Sequence, residues 1–178
     1  MNLIIYDIYH IKDKKVFNYL ISFKLKIFKF EETIFMISNS AKYTLIAVIY
    51  LGTNSSEEHK ILAKDLSHNT GVPKAYLSKL MQALTKENLI SSVRGPKGGF
   101  YLTDDEKNQF LIDIVTAIDG EHRIKKCILT LHNCDASHHC PLHNLVSDSK
   151  NDFLKKFQET KIKDLVEDIK LGKSFLSV

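Results

Sequence analysis

The 178-residue sequence predicts a mainly α-helical chain carrying one small β-hairpin wing. Three observations predict it. Apolar residues recur at helical spacing through most of the chain from residue 40 to residue 169. The period then breaks at two brief β-prone runs, Leu89-Ile90-Ser91-Ser92-Val93 and Phe100-Tyr101-Leu102. Joining them is Arg94-Gly95-Pro96-Lys97-Gly98-Gly99, a glycine-rich segment that reads as a hairpin tip.

Residues 1–35 stand apart. They contain no Gly, Ala, Pro, Arg or Gln, and Ile, Lys, Phe, Tyr and Asn supply 23 of the 35 positions, as AT-rich codons would. A start-like Met36 follows, then a helix opening at Ser38 and Ser40, so residues 1–35 read as an N-terminal extension from an upstream start. The rival reading is a real element, because Phe23, Leu25 and Ile27 alternate with Lys24 and Lys26 as in a strand.

From Met36 the elements follow in order. Residues 40–51 carry a broad apolar face (Ala41, Leu45, Val48, Ile49, Tyr50) and are expected to stop at Gly52. Residues 60–68, with Ile61, Leu62 and Leu66, form a short second helix, closed by the turn Asn69-Thr70-Gly71-Val72. Pro73 opens a third helix to about Glu87, with Leu77, Leu80, Met81 and Leu84 on one side. Beyond the hairpin, Thr103 and Glu106 make a capping box for a helix running to about Asp119. Residues 104–140 are thus a linking helix and a cysteine-bearing loop. A long amphipathic helix starts near Pro141, with Leu142, Leu145, Val146, Phe153 and Phe157 in its apolar rows, and continues through Ile162, Leu165, Val166 and Ile169. Residues 141–178 are assigned to this helix and a C-terminal tail.

Composition narrows the function. The length suits one domain with an appendage, not a multidomain enzyme. Hydrophobic residues at 44% and charged residues at 26% are ordinary for a globular chain. No run approaches the roughly 20 apolar residues that a membrane helix needs, so no membrane partner is expected. Three clustered cysteines, Cys127, Cys134 and Cys140, do not suggest a secreted disulfide framework, and no signal-peptide pattern is present. A reducing cytoplasm fits best.

Two short helices joined by a glycine turn and followed by a two-stranded wing describe a winged helix-turn-helix, assigned to residues 36–103. Its charge points to double-stranded DNA. Residues 60–103 hold seven Lys/Arg against two acidic residues, whereas residues 104–178 hold eleven against thirteen. Attraction for phosphates therefore concentrates on the helix-turn-helix and wing. The start of a recognition helix enters the major groove, which nominates Lys74, Ala75, Tyr76, Ser78 and Lys79. Tyr76 reads equally well as a DNA contact or a core residue. In the wing, Arg94 beside Gly95, Lys97 and Gly98 could approach a narrow minor groove closely.

Six residues separate Cys127 from Cys134, five separate Cys134 from Cys140, and His143 follows three residues after Cys140. Three thiolates and an imidazole suit an iron–sulfur cluster and zinc alike, and spacing does not choose between them. A purely redox-active thiol enzyme would want a Cys-x-x-Cys pair, which is absent.

The stretches Ala75-Tyr76-Leu77-Ser78-Lys79-Leu80 and Leu89-Ile90-Ser91-Ser92-Val93-Arg94-Gly95-Pro96-Lys97-Gly98-Gly99-Phe100 resemble the bacterial iron–sulfur-cluster regulators of the IscR and NsrR kind. The resemblance runs from residue 36 to about residue 170. It implies a homodimeric winged-helix transcription regulator, not an enzyme, paired through the long C-terminal helix. It also implies that Cys127, Cys134 and Cys140 bind a cluster. His143 matches the fourth ligand of the 2Fe–2S branch. Some relatives instead use an N-terminal acidic residue for a 4Fe–4S cluster, but no carboxylate lies between Met36 and Gly52. The first cysteine spacing is one residue longer than in the commonest IscR arrangement, which leaves the cluster type open.

Overall fold

The computed structural model describes residues 37–95, 97–126 and 141–176. The chain divides into two compact units, Met1–Phe35 and Met36–Val178, and every element below belongs to the second. The expectations for residues 1–35, Pro96, Cys127, Cys134 and Cys140 fall outside the described residues.

Helix α1 (Asn39–Asn54) opens at Ser38, whose hydroxyl accepts from the Ala41 N–H at 3.0 Å. That bond satisfies one of the donors a helix start leaves free. The helix does not stop at Gly52. It runs two residues further, to a cap at Ser55, whose N–H and hydroxyl both donate to Leu51 O. Gly52 is buried instead as a point of close approach. A Cβ there would lie 2.7 Å from Val166 Cγ2, on the last helix of the fold.

The second helix, α2 (Ala63–Thr70), starts three residues later than the sequence suggests, because Ile61 is drawn into the wing. Gly71 ends α2 in the left-handed region (φ 66°), a conformation glycine adopts without strain. Helix α3 (Lys74–Lys86) follows, burying Leu77, Leu80, Met81 and Leu84. The wing pairs β1 (Ser91–Val93) with β2 (Gly99–Tyr101) in antiparallel register, Ser92 opposite Phe100. Ile61 adds a third edge: its N–H and carbonyl both bond Phe100 at 2.9 Å.

The expected helix from Thr103 is shorter than the capping box implies. The reciprocal bonds form, with Thr103 N–H to Glu106 Oε2 at 2.7 Å and Glu106 N–H to Thr103 Oγ1 at 3.2 Å. They close only a 3₁₀ turn, Glu106–Asn108, and α4 (Leu111–Asp119) begins beyond it. Gln109 and Phe110 are extended because the C-terminal chain pairs with them: Ile162 N–H reaches Gln109 O, and Leu111 N–H reaches Thr160 O, each at 3.0 Å. A sequence read locally contains no sign of that long-range partner.

After the short α5 (Glu121–Lys125) come α6 (His143–Glu159) and α7 (Ile162–Lys170). The expected single long helix is two. Thr160 breaks it, and α7 lies along α1, where Ile162 and Val166 are buried in the core with Val48, Leu51, Leu66, Leu77, Leu84 and Ile114. Helix α6 rests on α4 through Leu154 and Phe157, yet none of its 17 residues is fully buried.

Candidate nucleic-acid interface and cluster segment

The turn between α2 and α3 is fixed by local chemistry. Ser67 Oγ donates to Val72 O at 2.6 Å, and Thr70 Oγ1 donates to Leu66 O at 2.6 Å, while Val72 is buried. Pro73 precedes the first turn of α3, where its missing N–H is harmless. With Leu77, Leu80, Met81 and Leu84 inward, the opposite side of α3 faces solvent. Lys74, Ala75, Tyr76 and Lys79 are exposed there and Ser78 is half-buried, so all five nominated residues share the outward side.

Tyr76 is not a core residue: it is 38% exposed. Its hydroxyl shares a 2.5 Å hydrogen bond with that of Ser40, and its ring stands edge-on to Tyr43 at 6.1 Å between centroids. Ser40 and the exposed Tyr43 thus join the face from α1. No periodicity in the sequence announced them, since the pairing links residues 36 positions apart.

At the wing tip, Arg94, Gly95 and Lys97 are exposed. Arg94 forms no ion pair among the described residues. Gly95 has φ 114° and open space where a Cβ would stand. Gly98 differs from the DNA-facing glycine expected from the sequence: it is buried within the tip. A Cβ there would lie 2.1 Å from Val93 O, and its N–H donates to Gly95 O at 2.9 Å. The absent side chain at residue 98 serves hairpin closure. Behind the sheet, Lys60 Nζ sits 5.4 Å from the centre of the Tyr101 ring.

His143 is half-buried at the first residue of α6. The far end of the cysteine-bearing segment meets the same helix, because Lys150 Nζ donates to Lys126 O, the carbonyl just before Cys127, at 2.7 Å. Lys150 lies about two turns, roughly 10 Å, along α6 from His143. Both ends of the segment therefore meet one short length of helix. Among the described residues no cluster of His, Cys, Asp and Glu could by itself hold a metal. On α5, the hydrogen bond and charge of Lys125 hold the Glu121 carboxyl below its ordinary pKa.

Helix, turn, recognition helix and paired wing define a winged-helix DNA-binding regulator. Residues 37–168 match the Rrf2 family, described as iron-dependent transcriptional regulators, and the chain belongs to that family. It is 30% identical, over 72% of its length and 90% of the other's, to a helix-turn-helix-type transcriptional regulator of Aquifex aeolicus. It is also 30% identical to the regulator IscR of Xenorhabdus nematophila, over 63% of this chain and 67% of that one. Among solved structures it resembles CymR, the global cysteine regulator of B. subtilis, with TM-score 0.60 and 21% identity over 74% of this chain and 95% of that one. The IscR of T. potens superposes with TM-score 0.56 and 19% identity over 78% and 91%. At those identities the likeness concerns the fold. The family is one of transcription regulators, not enzymes. No helix among the described residues is long and apolar enough to cross a membrane.

Proposed function

We propose that this chain is a homodimeric, sequence-specific transcription regulator of the cytoplasm whose operator affinity is set by an iron–sulfur cluster. The observation that carries the reading is the pairing of a basic winged-helix head with a Cys127/Cys134/Cys140/His143 donor set. The donors fit: three thiolates supply soft ligands, and an imidazole fixed on the first turn of α6 supplies a fourth. The anchoring of Lys126 on the same helix favours convergence of the set. When bound, the cluster supplies a redox- and supply-sensitive crosslink; a 2Fe–2S form is favoured through His143, with 4Fe–4S as the other form.

The chain's own residues do the reading. Lys74, Ala75, Tyr76, Ser78 and Lys79 present the outward side of α3 to a major groove. Arg94 and Lys97, carried by a tip whose glycines keep it narrow, reach the adjoining minor groove or phosphates. Two copies paired along α6 would place two such heads on half-sites about one helical turn, or a multiple of it, apart.

Anaerobic purification with a visible spectrum and iron and sulfide analysis tests the cofactor. Visible absorption with matched iron and sulfide supports the proposal. A colourless protein carrying zinc would replace the cluster with a structural Cys3His site. Operator affinity equal in the cluster-loaded and cluster-free forms would remove the regulatory role.

A further inference from the structure

One buried carboxylate lies apart from the residues assigned above to DNA reading and cluster binding. Asp119, the last residue of α4, has a side chain only 3% exposed. Both of its oxygens turn to the start of α1. Oδ2 accepts the Ser38 N–H at 2.8 Å, and Oδ1 accepts the Ser38 hydroxyl in a short hydrogen bond. The same hydroxyl accepts from Ala41 N–H, so the carboxylate, the cap and the first turn of α1 form one unit. A negative charge at a helix start is favoured there, and bonds to an ionised acceptor are strong.

The unit is bonded at both ends. Toward the cysteines, Arg123 Nε lies 4.0 Å from Asp119 Oδ2, and Ile124 is buried against Ala41 and Val115. Three residues beyond Ile124 comes Cys127. Toward the DNA face, Ser40 lies two residues after Ser38 and its hydroxyl bonds Tyr76 on α3. Tyr43, one turn on, braces the same ring. No bond joins Asp119 to Tyr76 directly among the described residues; α1 lies between them.

We propose that Asp119 is a positioning residue for the recognition helix. By gripping Ser38 it sets the first turn of α1, and that turn sets Tyr76 through Ser40. A buried carboxylate that loses its partners is strongly unfavourable, so the grip is made or released as a whole instead of stretching gradually. Displacement of α5 would therefore switch the position of Tyr76. For the source of that displacement this rests on the cluster reading above: a cluster ligated by Cys127, two residues after α5, would hold α5 in place, and its loss would loosen it.

The test is a double-mutant cycle on the full chain in its cluster-free form. The probe is a DNA duplex selected from a randomised pool by the wild-type protein. Affinity is measured for wild type, Asp119→Asn, Tyr76→Phe and the double variant, with thermal melts confirming that each folds. Distant, independent sites combine multiplicatively to within about twofold. Transmission through α1 predicts a departure from the product of about fivefold or more. A multiplicative result overturns the proposal. If Asp119→Asn fails to fold, Ser38→Ala takes its place, since it keeps the backbone bond and loses only the hydroxyl.

A second measurement separates this idea from the cluster reading. Ser40→Ala should keep the visible spectrum of the loaded protein while shrinking its loaded-to-free affinity ratio toward one. An unchanged ratio overturns transmission from the cluster. Were the wild-type ratio itself one, cluster control would fall, and the cluster-free cycle would still decide whether Asp119 positions Tyr76.

Discussion

Gly52 on α1 and Val166 on α7 meet so closely that a Cβ on Gly52 would stand 2.7 Å from Val166 Cγ2. Val166 is β-branched and almost wholly buried, so it has no easy rotamer into which to retreat. The glycine lets the last helix lie directly against the first.

Gly52→Ala should therefore destabilise the protein. Alanine gains up to about 1 kcal/mol of helix propensity over glycine, but overpacking costs about 1–3 kcal/mol. A net loss is expected in urea denaturation. Gly52→Ala with Val166→Ala should lose less than the two single changes together, because the second removes the clash of the first. Strict additivity would show that the helices part without resistance.

Replacing Arg94 by Ala should weaken binding to the selected duplex by about 1–3 kcal/mol and leave the melting temperature unchanged, since the side chain is exposed at the wing tip. If Arg94 meets a phosphate, the slope of log affinity against log salt should also become shallower by about 0.9 for each subunit bound. Equal affinity for the variant would assign the wing another role.

Leu145 is 78% exposed on a helix with no fully buried residue, while Phe153 and Phe157 stack with ring centres 4.2 Å apart further along it. Pairing with a second copy would cover Leu145. Leu145→Asp should thus convert a dimer into a folded monomer, read by sedimentation or light scattering, and weaken DNA binding by removing the second half-site contact. A dimer of wild-type affinity would place the interface elsewhere.

His143→Ala should shorten the lifetime of the visible chromophore under air while the cluster-free protein keeps its fold, since His143 is only half-buried. His143→Cys, replacing imidazole with a stronger thiolate ligand, should lengthen it. Identical lifetimes in all three proteins would assign the fourth ligand to another group.

The helix-turn-helix was legible because its signals are local. Gly71 in the left-handed region, Pro73 before the first turn, and the apolar spacing of Leu77, Leu80 and Leu84 lie within fifteen residues. The hairpin was legible for the same reason. Where the reading departed from the structure, a distant segment decided. Gly52 looked like a stop until α7 arrived beside it, and the capping box at Thr103 closed only one turn because Gln109 and Phe110 pair with the chain near Thr160. The split of α6 from α7 has the same origin: Ile162 answers to the core around Leu51 rather than to the helix before it. Of the candidate site, the outward side of α3 followed from periodicity, whereas Ser40 and Asp119 became visible only when α1 was laid against α3 and α4.

Asp119 is tied to Ser38 at one end of α1, and Ile162 and Val166 pack on Gly52 near the other. In topological terms the chain leaves α1 near its start at Asp119 and comes back to it near its end at Ile162, about 20 Å away along a single helix. A stop after α6 would remove the wall that α7 supplies to the core through Ile162 and Val166, so a C-terminal deletion at that point should destabilise the helices that hold α3.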